Sequence, residues 1–464
     1  MTVFRRTAQL FTPLLAMLAV FLAVFGAAAL GQPGPAQAKV FDPVSFTLEN
    51  GLQVVVVENH RAPIVYHSVW YRVGAADEQA GESGLAHFLE HLMFKGTETL
   101  APGEFSDIIA ANGGQQNAFT SWDYTAYYQT VAADRLEIMM KNEADRMVNL
   151  QLTDDVVLPE REVVREERRS RIDNEPGSQL GELSRAIQFL NHPYRIPIIG
   201  WDHEIEQLST QAAIAFYEKW YAPNNAILVV AGDVDPEQVH QLAEKYYGVI
   251  PAKAVPERNR VVEPPQNAPR EVRLTSARVR QPQVSISYLA PSYRQVAQDA
   301  GDNTAYALQV ASEIVGGGAP ARLNSRQGVE QGLAGRAGAG DHPTNYDYST
   351  FSFYIAPRPG QEVAPAEAAL RQEIAKLLDE GVSADEVAAA KKRLVAGAVF
   401  ARDNLSTAPR VIGAALTTGG SLEQVEAWPD RIATVTAEEV NTALKQVLRD
   451  EQSVTSYLLP DPTS

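Results

Sequence analysis

The chain has no cysteine among its 464 residues, so no disulfide can staple it and no lipid can be attached through a thiol. Its fold must rest on buried apolar cores. Basic residues are also short: 40 Lys and Arg stand against 57 Asp and Glu, a formal charge of -17. Binding a phosphate backbone draws on the opposite excess, which argues against a nucleic-acid partner. Long polar tracts are missing too, and hydrophobic types make up 45% of the chain, so disorder is not the default. A chain of this length exceeds what one hydrophobic core organises, and at least two domains are expected.

A long apolar run is confined to the N-terminus, from Leu10 to Leu30. Arg5-Arg6 precede it, and a Gly/Pro-rich spacer and Ala36-Gln37-Ala38, an A-x-A site, follow. Residues 1–38 therefore read as a secretory signal cut before Lys39, which makes the chain an exported, periplasmic protein. Left uncut, residues 10–30 would anchor it, the only membrane contact expected.

From Phe46 the pattern is strand-like: Phe46-Thr47-Leu48, an Asn50-Gly51 turn signal, Leu52 to Val57, then Val65 to Val73. Helical periodicity follows around Leu85 to Phe94, Gly103 to Ala111, Ala133 to Met147, Pro159 to Arg171, Gln179 to Leu190 and Thr210 to Trp220. Asn225 to Gly232 reads as a buried strand. Pro251, Pro256, Pro264, Pro265 and Pro269, with interspersed charge, mark a linker over 251–270. Beyond it the order repeats, with strands at Val272 to Thr275 and Val284 to Leu289, a helix ending at Gly316-Gly317-Gly318, and a strand from Tyr348 to Ile355. The closing helix Thr436 to Leu448 and strand Val454 to Leu459 echo Thr210 to Trp220 and Ala226 to Ala231. The expected fold is α+β, with two related domains over 39–250 and 271–464. Each is a mainly antiparallel sheet with helices packed on one side, and the linker joins them into a half-clamshell.

The chemistry concentrates in His87-Phe88-Leu89-Glu90-His91. On a helix, His87 and His91 lie about 40° apart and Glu90 about 60° to the other side of His87, so all three share a face. Two imidazoles one turn apart suit one tetrahedral zinc, and a carboxylate beside them can take a proton from water at the metal. The order is that of the inverted zincins, H-x-x-E-H. A catalytic zinc also wants a third protein ligand. Glu160, Val163, Val164 and Glu167 form one stripe of the following helix, whereas Glu162 and Glu166 fall on its charged face with Arg165 and Arg169. An acid on an apolar stripe is costly unless paired or metal-bound, which favours Glu167 over Glu166. Glu160, two turns earlier, suits a supporting or electrostatic role behind the ligands, or burial as the partner of an Arg. His60, His67, His192, His203, His240 and His342 have no partner at ligand spacing. No His lies between Pro269 and His342, so one Zn2+ per chain is expected. Gly316-Gly317-Gly318 lacks the Lys-Ser/Thr of a phosphate loop and reads as a helix end.

His87 to His91, with Leu92-Met93-Phe94-Lys95-Gly96-Thr97 after it, resembles the pitrilysin, insulin-degrading enzyme and mitochondrial processing peptidase family. There the third ligand is the last Glu of an E-R-x-x-x-x-x-E stretch, and Glu160-Arg161 to Glu167 fits, with Glu167 lying 76 positions past His91. The resemblance extends to Gly74-Ala75-Ala76-Asp77-Glu78, Asn117-Ala118-Phe119-Thr120, His192-Pro193-Tyr194 and Pro223-Asn224-Asn225-Ala226. It implies a zinc endopeptidase cleaving peptides or small unfolded segments inside a two-half chamber, with Glu90 as general base. An extended peptide would add to a sheet edge at Gln116 to Thr120, where Asn117 and Ala118 present backbone groups. A plain edge strand is the alternative reading. The family also includes subunits without working sites, so a non-catalytic peptide-binding or scaffolding subunit is the alternative function.

Family members active as single chains or homodimers carry an Arg and a Tyr seven positions apart, in a stretch resembling L-R-x-x-x-G-L-A-Y. Here Gly332-Leu333-Ala334 places Gly328 and Gly335 at those positions. The resemblance thus implies a heterodimer with a related subunit that supplies the Arg and Tyr. Arg322, Arg326 or Arg336 would substitute if the loop shifts.

Overall fold

The computed structural model describes residues 40–299 and 301–461; the signal reading of 1–38 lies outside the described residues. The first sheet contains β1 (Val44–Thr47), β2 (Gln53–Glu58), β3 (Ile64–Tyr71), β4 (Gln115–Thr120), β5 (Thr125–Ala132) and β6 (Ala226–Gly232). Their spatial order is β1-β2-β6-β3-β5-β4. The second contains β7 (Arg270–Ser276), β8 (Gln283–Pro291), β9 (Ala334–Asp341), β10 (Tyr348–Pro357) and β11 (Ser453–Pro460). Its order, β7-β11-β8-β10-β9, repeats β2-β6-β3-β5-β4 strand for strand. The one parallel pairing recurs at the same place, β2 with β6 and β11 with β7. Internal duplication accounts for all of this.

Sequence explains where each strand sits. β6, Ala-Ile-Leu-Val-Val-Ala-Gly, is buried along its whole length and occupies the sheet interior. β8 alternates, with Val284, Ile286, Tyr288 and Ala290 facing the core and Ser285 and Ser287 facing away. β4, Gln-Gln-Asn-Ala-Phe-Thr, is mostly polar and lies at the edge.

The expected helices cover one face of each sheet, and the other face takes a helix from the opposite half. In the first sheet, Val55, Val57, Trp70, Ile227 and Val229 pack against Ala408, Ile412 and Leu416 of helix Thr407–Thr417. Each fully buried aliphatic side chain there contributes about 1.5–3 kcal/mol. Gly413 allows the close approach, since a Cβ on it would stand 2.1 Å from the Trp70 ring. In return, helix Pro176–Gln188 lies on the second sheet, with Ser184 Oγ bonded to Ser456 Oγ at 2.7 Å and Ser287 Oγ to Gln188 Oε1 at 2.6 Å.

Residues 251–269 run without helix or strand, yet they are tied to both halves. Arg260 reaches Asp77 at 2.8 Å, Asp123 at 2.5 Å and Asp347 at 3.1 Å. Tyr194 Oη donates to both Asp123 oxygens, and Arg258 donates to the Thr417 carbonyl. Burial alone would penalise the Arg260 charge, but these carboxylates outweigh it and hold its pKa above the usual value. Among the described residues no helix is long and apolar enough to cross a membrane.

One helix boundary needs correcting. The helix expected from Pro159 begins at Asp154, with Pro159 inside it, and runs to Arg168. A π-helical stretch, Arg169–Asp173, follows. The buried stripe differs too: Val157, Glu160, Val164 and Arg168 are buried, while Val163, expected on it, is 50% exposed.

Candidate metal centre

Helix α1 (Leu85–Leu92) starts at Gly84, whose φ of 88° suits only glycine comfortably. Leu85, Ala86, Phe88, Leu89 and Leu92 sink into the core, which leaves His87, Glu90 and His91 on the remaining side. Glu78, in the Gly74 to Glu78 stretch, anchors the first turn by accepting the Gly84 and Ala86 N–H groups at 3.0 and 2.8 Å. Sequence reasoning gave Glu78 no such role.

Helix α2 (Asp154–Arg168) lays Glu167 across from the histidines. Glu167 Oε2 is 3.7 Å from His87 Nε2 and 3.2 Å from His91 Nε2. One ligand atom from each of the three residues falls within 4.8 Å of the others. The remaining polar atoms are mostly committed elsewhere. His91 Nδ1 faces Glu160 Oε1 at 2.9 Å, Glu160 Oε2 meets Lys95 Nζ at 2.5 Å, and Glu167 Oε1 meets Arg171 at 2.7 Å. Glu167 Oε2 is buried and makes no well-aligned hydrogen bond. Two imidazole nitrogens and this orphaned oxygen fit a zinc ion. Glu166 points away, 70% exposed and paired with Arg169.

The electrostatics favour a cation. Burial, aided by neighbouring His91, lowers the His87 pKa to about 4, so that ring is neutral at pH 7. Burial also opposes charge on His91, but Glu160 and Glu167 outweigh it and raise its pKa to about 9. Glu160 and Glu167 are both held below the usual carboxylate value. For Glu160 the His91 and Lys95 bonds overcome burial, and for Glu167 the close approach of His91 Nε2 is the main cause. Glu90 behaves differently, because burial raises its carboxyl pKa against the bond from Thr120. That bond, Thr120 Oγ1 to Glu90 Oε2 at 2.5 Å, ties the carboxylate to the edge strand.

Asn117 and Ala118 lie mid-way along β4, paired to Tyr128 and Tyr127 of β5 on one side only. Asn117 is exposed, and its Oδ1 accepts the Ala118 N–H at 2.8 Å. Glu160 partners Lys95 where sequence suggested an Arg. Of the other histidines, His67 is buried between Gln129 and Tyr247, and His192 is buried against Asp347. None joins the cluster among the described residues. Gly328 lies in the π-helical stretch Asn324–Glu330, and Gly335 is the second residue of β9. Arg322 is bonded to Glu386 at 2.7 Å and Arg326 to Glu373 at 2.6 Å, whereas Arg336 is exposed on β9. Thr120, Lys95 and Arg171 are the site's unforeseen members. Thr120 and Lys95 come close only through tertiary packing, whereas Arg171 stands at i,i+4 from Glu167, a spacing the sequence shows.

Two family descriptions match the chain. "Insulinase (Peptidase family M16)" covers residues 53–200, and "Peptidase M16 inactive domain" covers residues 207–394. Zinc protease PqqE of Helicobacter pylori is 33% identical over 76% of this chain and 77% of its own length. An uncharacterized zinc protease of Mycobacterium leprae is 28% identical over 87% of this chain and 88% of its own. Among solved structures, a protease from Helicobacter pylori superposes with a TM-score of 0.83 at 29% identity, covering 90% of this chain and 99% of that one. The periplasmic protease PqqL from Escherichia coli shares the fold, with a TM-score of 0.78 at 20% identity over 93% of this chain and 49% of that one. With both halves matched and a one-third-identical relative spanning three quarters of it, this chain belongs to the M16 insulinase family of metallopeptidases.

Proposed function

We propose that the chain is a zinc-dependent endopeptidase that hydrolyses peptides or small unfolded segments in the periplasm, as one subunit of a two-subunit enzyme. The observation that carries this reading is the convergence of His87, His91 and Glu167 on one point, with the half-buried Glu90 carboxylate on the same helix face. When bound, zinc supplies a Lewis acid that acidifies water and polarises a scissile carbonyl. The chain's own residues do the rest. Glu90 accepts the proton of the attacking water at its carboxylate and passes it to the leaving amine. Thr120 holds that carboxylate in place. Glu160 fixes the His91 tautomer by accepting from Nδ1, which leaves Nε2 free for the metal. Arg171 occupies one Glu167 oxygen and so presents the other. Asn117 and Ala118, on the unpaired edge of β4, receive the substrate backbone.

The two-subunit reading rests on Gly328 and Gly335, which have no side chain to donate to a developing oxyanion. Losing one such donor typically costs about 10²- to 10³-fold in rate. Arg322 and Arg326 are already engaged by carboxylates, which leaves them poorly placed to substitute. The periplasmic assignment rests on the pattern of residues 1–38.

The test is to incubate the purified chain with a mixture of peptides, alone and with its closest co-expressed relative, each with a chelator and with zinc restored. Cleavage that needs zinc and rises with the relative supports the reading. Full activity from the isolated chain removes the second subunit. Peptide binding without turnover under every condition would make the chain a non-catalytic peptide-binding subunit.

A further inference from the structure

We propose that Arg185 is a binding site for a carboxylate carried by the peptide lying along β4, an inference that rests on the peptidase reading above. Arg185 belongs to helix α3 (Pro176–Gln188), and its guanidinium lies 4.0 Å from the centre of the Trp122 ring. Trp122 is two residues beyond Thr120, in the turn from β4 to β5, and its indole N–H is fixed on the Ile196 carbonyl at 2.8 Å. Arg185 is thus one ring contact from the turn that follows the edge strand, whose last residue, Thr120, holds Glu90.

This guanidinium lacks what comparable arginines have. Arg146 is paired with Glu143, Arg168 with Glu182, Arg260 with three aspartates and Arg322 with Glu386. Among the described residues, Arg185 has the Trp122 stack and no hydrogen bond or ion pair from its side chain. In a chain with 57 acidic residues, no acid has been placed beside it. Burial lowers its pKa to about 10, so it stays charged at neutral pH. One turn further on α3, Gln188 Nε2 is also buried without an acceptor, because Oε1 is the atom bonded to Ser287. Two unmatched donors therefore sit three residues apart on one helix.

A partly desolvated cation without an anion is costly, and an incoming carboxylate offsets that cost. The indole face holds the guanidinium carbon at 4.0 Å, and its N–H groups, which have no protein partner among the described residues, are available for a planar, two-point contact. The ligand is a carboxylate, either an acidic side chain or the peptide's own C-terminus. The site would give a strongly acidic protein a local preference opposite to that of its net charge.

The experiment uses the full chain carrying E90Q, so that binding is read without turnover, and labelled ten-residue peptides followed by fluorescence anisotropy. One set of pairs carries Glu or Gln at successive positions, and another pair ends in a free carboxylate or an amide. The expected result is about ten- to hundredfold tighter binding of the carboxylate member in one pair, weakening with added salt. R185Q should abolish the preference, and R185K, which keeps the charge and loses the fork, should retain part of it. Equal affinity for both members of every pair in the parent overturns the proposal, whether or not R185Q folds. So does a preference that survives R185Q, or an equal loss of both members. A carboxylate preference in a protein whose Glu90 form cleaves nothing would sink the peptidase reading and leave this one standing.

Discussion

Glu160 bridges two partners, with Oε1 2.9 Å from His91 Nδ1 and Oε2 2.5 Å from Lys95 Nζ. The lysine neutralises the carboxylate bonded to His91, which the proposed function makes a zinc ligand. Removing such an orienting partner typically costs about 10- to 100-fold in metal affinity. E160Q should therefore weaken zinc binding by that order, and K95M by less, in a competition titration against a chromogenic chelator. Unchanged affinity in E160Q would remove Glu160 from the site.

E90Q should bind zinc like the parent and lose about 10²- to 10⁴-fold in turnover, because an amide cannot accept the water's proton. T120V should lower turnover without changing zinc content, and T120S, which keeps the hydroxyl, should restore it. Turnover retained in E90Q would end its assignment as the base.

E167Q should lose metal where E166Q does not, since Glu167 Oε2 faces both imidazoles and Glu166 is turned to solvent. Zinc per chain, measured by atomic emission after dialysis, separates the two. Equal content would contradict the ligand set.

G413A should destabilise the protein by about 1–3 kcal/mol through overpacking, because the new Cβ meets Trp70 at 2.1 Å. G397A, in helix Ala384–Ala401 with open space around it, should stabilise by about 0.5–1 kcal/mol. Denaturant midpoints of the two variants should move in opposite directions.

Asp341 gives a pH prediction. Burial raises its pKa to about 7, although Ser349 Oγ donates to Oδ1 at 3.2 Å, and Oδ2 has no partner. The fold prefers the neutral acid, so its contribution is complete below about pH 4, the unfolded value, and is lost as pH rises through 7. D341N should flatten the fall in melting temperature between pH 4 and 7 and should be the more stable form above 7. A parallel pH profile in the two proteins would refute this.

The residues of the candidate site are legible in the sequence because they obey helical periodicity inside two short stretches. His87, Glu90 and His91 lie within about one turn of α1, and Glu167 shares the inner side of α2 with Val164 and Glu160. Pro159 suggests a helix start, a position where proline is at home, and Val163, counted at i+3 from Glu160, faces solvent because the buried side runs through Val157, Glu160, Val164 and Arg168. The helix in fact begins at Asp154 and tolerates the missing N–H, and Val157 is the buried residue that reading missed. β9, Ala-Gly-Arg-Ala-Gly-Ala-Gly-Asp, has no strand formers and is made a strand by its ladder to β10. Thr120 as partner of Glu90, and Arg185 stacked on Trp122, depend on chain segments tens of residues apart, beyond any local pattern.

The crossed helices give the duplicated chain a property that neither copy would have alone. Cut at residue 251, the first half would lose Ala408, Ile412 and Leu416 and expose the face of Val55, Val57, Ile227 and Val229 to water. The second would lose Ser184 and Gln188 from its own sheet. The repeat that describes the chain's ancestry is therefore not its folding unit. Each copy is now the other's missing wall, and a separately expressed half should behave as a sticky fragment and not as a small protein.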